Sequence, residues 1–186
     1  MKKTGLYFIF LVLFSSSCDF FIPGNTPLPE KTWKEQLNDE LPLLGHRNWI
    51  LVVDKAFPAQ TAPGIRVINT GESLQDVLQV TLQKIDRSLH VKPVIYTDKE
   101  LEFLTPQLVP LVEGYRKELQ KTLKGIEPQT LLHDSVFVKI DQASRLFKVL
   151  VLKTEETIPY SSVFLQLDCK YWSSENEQAL RALMKK

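Results

Sequence analysis

Gly45-His46-Arg47-Asn48-Trp49-Ile50-Leu51-Val52-Val53-Asp54 is the stretch on which the fold turns. Residues 49–53 are consecutively apolar, so the strand they form has no face to offer to water and is covered on both sides, as at the centre of a parallel sheet. Asp54 ends the strand, and the polar residues 45–48 lead into it. Helices are therefore expected on both faces.

The chain on either side agrees. After a loop carrying Pro58, Pro63 and Gly64, a short strand is expected at 65–68 and a helix from Ser73. Leu74, Val77, Leu78, Leu82, Ile85 and Leu89 recur at helical spacing, and Ser73 is placed to cap the first turn. Residues 93–96 read as the next strand. Thr105-Pro106 then has the form of a cap residue followed by proline at the first helical position, with Leu108, Leu111, Val112, Tyr115, Leu119 and Leu123 as the buried stripe and Gly125 as the stop. The last third reads as strands at 135–140, 147–152 and 162–167, closed by a helix from Ser174 with Glu177 completing a capping box. Upstream, residues 33–41 suit a short amphipathic helix ended by Pro42. The expected fold is α/β, a three-layer α/β/α sandwich on a mixed, mostly parallel sheet.

The N-terminus belongs to a different class of sequence. Met1-Lys2-Lys3, the apolar run 6–14 and Ser15-Ser16-Ser17-Cys18 follow the order of an export signal. The apolar run is about half of what a membrane-spanning helix needs. A cysteine directly after small residues resembles a bacterial lipobox, which makes Cys18 the expected lipid attachment residue, although Ser15 stands where such boxes usually carry an aliphatic residue. Residues 18–31, with Pro23, Gly24, Pro27 and Pro29, read as a tether. The division expected is a signal peptide at 1–17, a tether at 18–31 and one folded domain at 32–186, exported and held to the cell envelope by lipid. Cys169, the second of two cysteines, then reads as a small apolar residue of a late strand.

Composition narrows the function. Of 186 residues, 23 are Lys or Arg and 22 are Asp or Glu, so there is no field to attract nucleic acid. The chain has no Gly-rich phosphate loop, no Cys/His metal cluster and no Gly-x-Ser-x-Gly elbow, so neither a metal nor a cofactor is expected. What remains is three histidines, His46, His90 and His133, with carboxylates and hydroxyls at strand ends, where open α/β sheets bind ligands. His90, beside a helix end, reads as a structural residue there. Tyr96-Thr97-Asp98-Lys99-Glu100 reads as a solvated turn that could also line a pocket. Trp49, Tyr171 and Trp172 suit either stacking on a sugar face or a core or interface, and Arg47 and Asn48 are further candidates for hydrogen bonds to a ligand.

A Gly-His pair, a hydrophobic strand, and an aspartate eight residues after the histidine and shortly before a proline together resemble the first motif of the ribose pyranase / fucose mutarotase (RbsD/FucU) family. Leu132-His133-Asp134 and Pro159-Tyr160 resemble its later motifs, in the same order. The resemblance implies His46 as catalytic acid/base, with Asp54, His133, Tyr160 and Ser162 contacting the hydroxyls of a monosaccharide such as ribose or fucose. The family usually has asparagine at the position of Ser162, and a hydroxyl cannot reproduce the two-pronged bonding of an amide. It further implies interconversion of sugar ring forms or anomers, chemistry suited to an imidazole whose reference pKa is about 6.5, and a homo-oligomer, commonly a decamer, with sites between subunits. The alternative from another class is a membrane-tethered sugar-binding module that keeps the fold without turnover. Geometry adds a constraint: a five-residue strand keeps its ends about 16 Å apart, so His46 and Asp54 meet only if loops fold back or if one acts in a neighbouring subunit's site.

Overall fold

The computed structural model describes residues 30–185. The expected signal peptide, Cys18 and nearly all of the expected tether lie outside the described residues.

A capping box at Thr32 and Glu35 starts the first helix, α1 (Trp33–Glu40). Strand β1 (Trp49–Val53) is buried along its whole length, as its unbroken apolar run requires. Strand β2 (Ile65–Asn69) and helix α2 (Leu74–Arg87) follow, the helix capped by Ser73, whose Oγ accepts from the Asp76 N–H. Strand β3 (Val91–Asp98) leads through a 3-10 turn, Lys99–Phe103, to helix α3 (Val112–Leu123). Strand β4 (Gln129–Leu131), helix α4 (His133–Ser144), strands β5 (Val149–Lys153) and β6 (Val163–Cys169) and helix α5 (Ser174–Leu183) complete the chain.

The six strands form one sheet in the order β2-β5-β1-β6-β3-β4. β1 pairs in parallel with β5, β5 with β2, and β3 with β4, while β6 runs antiparallel between β1 and β3. Five strands thus point one way and β6 the other: the mixed, mostly parallel sheet expected. One face of β1, through Ile50 and Val52, joins a core with Leu37 of α1, Leu78 and Ile85 of α2 and Leu119 of α3. The other face, through Trp49, Leu51 and Val53, packs with Val136 and Ile140 of α4 and with Phe164. The sandwich therefore has three layers, with α4 alone filling much of one of them.

Four local expectations are corrected. Residues 135–140 are helical and belong to α4: Val136 and Ile140, one turn apart, are buried, whereas Val138 is exposed. The alternation of Val136, Val138 and Ile140 resembles a strand, but the sheet lies against only one side of this segment, and a helix buries that side. The third helix starts at Val112 and not at Thr105, and Leu108 and Leu111 lie exposed outside it. Leu89 falls beyond the end of α2 and is likewise exposed. The last helix is capped by Ser173, whose Oγ accepts from the Asn176 N–H, one residue earlier than expected. β4, a strand of only three residues, carries no periodic signal in the sequence.

α4 is fixed at both ends. Near its C-terminus, a Cβ at Gly64 would stand 2.4 Å from the Ser144 carbonyl oxygen, so only glycine lets the two backbones approach so closely. At its N-terminus, the His133 N–H, one of the donors a helix leaves unpaired, is met by both carboxylate oxygens of Glu100 at 3.1 Å.

Candidate active site

The carboxyl ends of the five co-directional strands share one sheet edge, and antiparallel β6 begins there. The order β1-β6-β3 consequently sets three chain positions side by side: Asp54 just past β1, Ser162 just before β6, and Asp98 at the end of β3. α4 starts on the same edge and presents His133.

Asp54 and Ser162 are locked together. The Ser162 hydroxyl donates to Asp54 Oδ2 at 2.7 Å and accepts from the Asp54 N–H at 3.1 Å, while Asp54 Oδ1 accepts from the Ala56 N–H at 2.8 Å. Ser162 is buried, and this pairing engages its proton, so it holds Asp54 in place. Its neighbour Ser161 offers its carbonyl to the buried Tyr115 hydroxyl, whose ionisation burial pushes upward. Tyr160, two residues before Ser162, has φ +58°, a left-handed conformation that costs a non-glycine residue about 1–2 kcal/mol. The rest of the site must hold it there.

His133 stands edge-on to the Tyr160 ring, with centroids 5.3 Å apart at 88°, and edge-on to Phe137 at 4.8 Å. Its Nδ1 lies 2.8 Å from Asp98 Oδ2. The expectation of a solvated turn at residues 96–100 fails at Asp98, which is only 1% exposed. β6 and β4 flank it and α4 lies against it. Burial pushes its carboxyl up to about 6 against the opposing effect of His133, and the nearby Glu100 and Asp54 carboxylates add to the rise. Four of the expected residues, Asp54, His133, Tyr160 and Ser162, thus gather at one edge, and Asp98 joins them.

His46 does not. It precedes β1 at the other edge of the sheet, exposed, with Nδ1 2.9 Å from Asp168 Oδ1 near the end of β6 and the Arg47 guanidinium 3.3 Å from Nε2. Burial raises the Asp168 carboxyl, but hydrogen bonds from the Cys169 backbone and His46, helped by Lys92, outweigh it and hold it below its ordinary value. His46 borders two surface hollows, one shared with Tyr171, Trp172 and Glu177, the other with Lys139, Leu146 and Phe147. Each end of the sheet's strands therefore carries one His–Asp couple, His46–Asp168 at one and His133–Asp98 at the other. Trp49 is buried and stacks on Tyr96 at 5.5 Å, which assigns it to the core, and the His90 ring bonds the Leu44 carbonyl at 3.0 Å. Cys169 is the last residue of β6 and is partly exposed. Among the described residues no group of three or more acidic, histidine or cysteine side chains is arranged to hold a metal ion.

A family model described as the RbsD / FucU transport protein family matches residues 30–169. Among solved structures, RbsD of Bacillus subtilis complexed with D-ribose superposes with a TM-score of 0.52 at 17% sequence identity, covering 75% of this chain and 96% of that one. FucU from Bifidobacterium longum gives 0.49 at 18% identity over 71% and 92% of the two chains. A fucose mutarotase from Streptococcus pneumoniae in complex with L-fucose gives 0.48 at 17% identity over 75% and 96%. No curated protein matches the sequence. The family match ends at residue 169, so α5 lies beyond it.

Proposed function

The chain belongs to the RbsD / FucU transport protein family, and from that premise we propose that it opens and recloses the ring of a free monosaccharide, as a mutarotase or pyranase. The observation that carries this reading is the gathering of Asp54, His133 and Tyr160, from three distant segments, at the sheet edge where α/β folds take ligands. An acceptor-only carboxylate, an imidazole and a phenol or its ring face form a set suited to vicinal hydroxyls.

Ring opening requires the anomeric hydroxyl to lose a proton while the C1–O5 bond breaks and O5 gains one. Closure on the opposite face of C1, or by another hydroxyl, reverses both transfers. A group that titrates near neutrality serves in either direction, and such proton transfer contributes about 10²–10⁴-fold in rate. In this reading Asp54 accepts from sugar hydroxyls while Ser162 keeps its carboxylate oriented, and Tyr160, edge-on to His133, offers its ring to the sugar. His46 takes part as acid/base from a neighbouring copy, because the length of β1 separates it from Asp54 of its own chain. The protein is thus a homo-oligomer whose sites are completed across an interface. The reading also places the domain at the cell envelope, anchored by lipid on Cys18. Mass spectrometry of the membrane-extracted protein, showing an acylated N-terminal cysteine, tests the anchor.

Saturation-transfer NMR on ribose, fucose and related aldoses tests the activity. Exchange between anomers or ring forms faster than in buffer, and abolished in the Asp54→Ala and His133→Ala variants, is the expected result. Saturable binding of a sugar without any acceleration of exchange would replace the enzyme by a sugar-binding module.

A further inference from the structure

The Asp98–His133 couple has a property that a simple hydroxyl-binding histidine does not need. Asp98 is withdrawn from solvent at the end of β3, and its Oδ2 meets His133 Nδ1 at 2.8 Å. Its other oxygen, Oδ1, is buried with no hydrogen-bond partner among the described residues. A carboxylate left half-satisfied in the interior is costly, and such groups recur where they serve a reaction. His133 is itself immobilised: its backbone starts α4 on Glu100, and its ring is wedged between Tyr160 and Phe137. The His133 side chain remains 35% exposed, so the imidazole is reachable from solvent.

We propose that Asp98 is a positioning residue that holds His133 with its proton on Nδ1 and leaves Nε2 without one, so that His133 is a second proton-transfer group of the site, contributed by the same chain as Asp54. An ionised carboxylate only accepts, so Nδ1 must donate, and the other nitrogen is then a base. The inference rests on the ring-opening reading for its reaction. There, the proton of the anomeric hydroxyl passes to Nε2, C1–O1 becomes a carbonyl as the C1–O5 electron pair leaves with O5, and O5 takes its proton from the His46 imidazolium of the neighbouring copy; closure on the other face of C1 runs both transfers backwards and restores both imidazoles. Atoms and charge balance with no further reactant. Asp98 stabilises the transient imidazolium without itself taking the proton, the division of labour seen in other Asp–His couples. The groups facing Asp98 are His133 from α4, Glu100 from the 3-10 turn, Asp54 after β1 and the Tyr115 hydroxyl from α3. No cation among these competes with the imidazolium.

The test uses the full chain and needs no sugar for its first half. Long-range ¹H–¹⁵N NMR of the histidine rings at pH 7.5, with His133 assigned through the His133→Asn spectrum, reads which nitrogen carries the proton. The expected result is a proton on Nδ1 in the parent protein and on Nε2 in Asp98→Asn, whose amide keeps the shape of the side chain and can donate to Nδ1. With whichever aldose the parent protein turns over, Asp98→Asn is expected to lower kcat by about 10²-fold or more with KM within about threefold. A parent His133 protonated on Nε2, or a tautomer indifferent to Asp98→Asn, overturns the positioning role whether or not any sugar reacts. A switched tautomer with kcat unchanged overturns the proton-transfer role. A switched tautomer in a protein that turns over no aldose leaves the positioning role standing and overturns the ring-opening reading together with the proton-transfer role built on it.

Discussion

Ser162 and Asp54 are joined twice, by the serine hydroxyl donating to the carboxylate at 2.7 Å and accepting from the aspartate's own N–H at 3.1 Å. This reciprocal clasp ties the exit of β1 to the entrance of β6. It orients Asp54 by a contact that a longer side chain would have to make differently.

Ser162→Ala is therefore expected to leave the Asp54 carboxylate without its side-chain donor and its N–H without an acceptor. The cost is about 1–3 kcal/mol, which for a domain of this size lowers the melting temperature by several degrees. On the ring-opening reading, sugar affinity should fall more than kcat, because the variant loosens the carboxylate proposed to bind the sugar. Calorimetry and steady-state exchange kinetics check the two halves.

Asp98 makes stability depend on pH in an unusual direction. Its folded-state pKa, about 6, lies above the ordinary aspartate value of 3.8, so between those values the folded protein binds more protons than the unfolded chain. The contribution of this group is then greatest at low pH and is lost as pH rises from about 4 to 6, by about 3 kcal/mol in all. Asp98→Asn, which does not titrate, lacks this loss. The stability of the variant relative to the parent, from urea titrations at pH 4, 5, 6 and 7, should climb through this window. A flat difference would contradict it.

If His46 completes the site of a neighbouring copy, His46→Ala and His133→Ala are each inactive alone yet complement one another. Co-expressed at equal levels, they assemble into oligomers in which about a quarter of the sites carry both histidines. Recovery of about that fraction of parental exchange activity is expected; activity confined to chains carrying both histidines would place the whole reaction within one protomer.

α5 has no buried residue. Truncation after residue 173 is expected to shift the melting temperature of the isolated protomer fold by no more than about 2 °C, since little apolar area is returned to water. A larger loss, accompanied by a smaller assembly in analytical ultracentrifugation, would show that Leu180, Leu183 and Met184 are covered by another copy.

The sequence is informative where one interaction dominates. Five apolar residues in a row, three of them the β-branched Ile50, Val52 and Val53, favour a doubly covered strand, and β1 is one; Ser73 is placed to cap the helix that follows it. It is less informative where packing between distant segments decides. Val136, Val138 and Ile140 satisfy a strand's alternation and, for two of the three, a helix's spacing, and the neighbouring sheet selects the helix. Thr105-Pro106 carries a helix start, yet the core reached by α3 begins at Val112. Asp98, between Thr97 and Lys99, has the composition of a wet turn, and its burial comes from β4, β6 and α4, none of them adjacent in sequence. Asp54, His133, Tyr160 and Ser162 were legible through motif order, whereas the partner that orients His133 was not.

β1 is shielded on both faces and bonded along both edges, to β5 and to β6. Its amides have no route to solvent short of global unfolding, so they should exchange with deuterium more slowly than any others in the chain. A strand of that kind acts as a strut: it fixes the spacing between the His46 edge and the Asp54 edge and does not bend to admit a ligand. On the ring-opening reading, the movement that admits a sugar then falls to segments outside this strand, among them the loops between β1 and β2 and between β5 and β6.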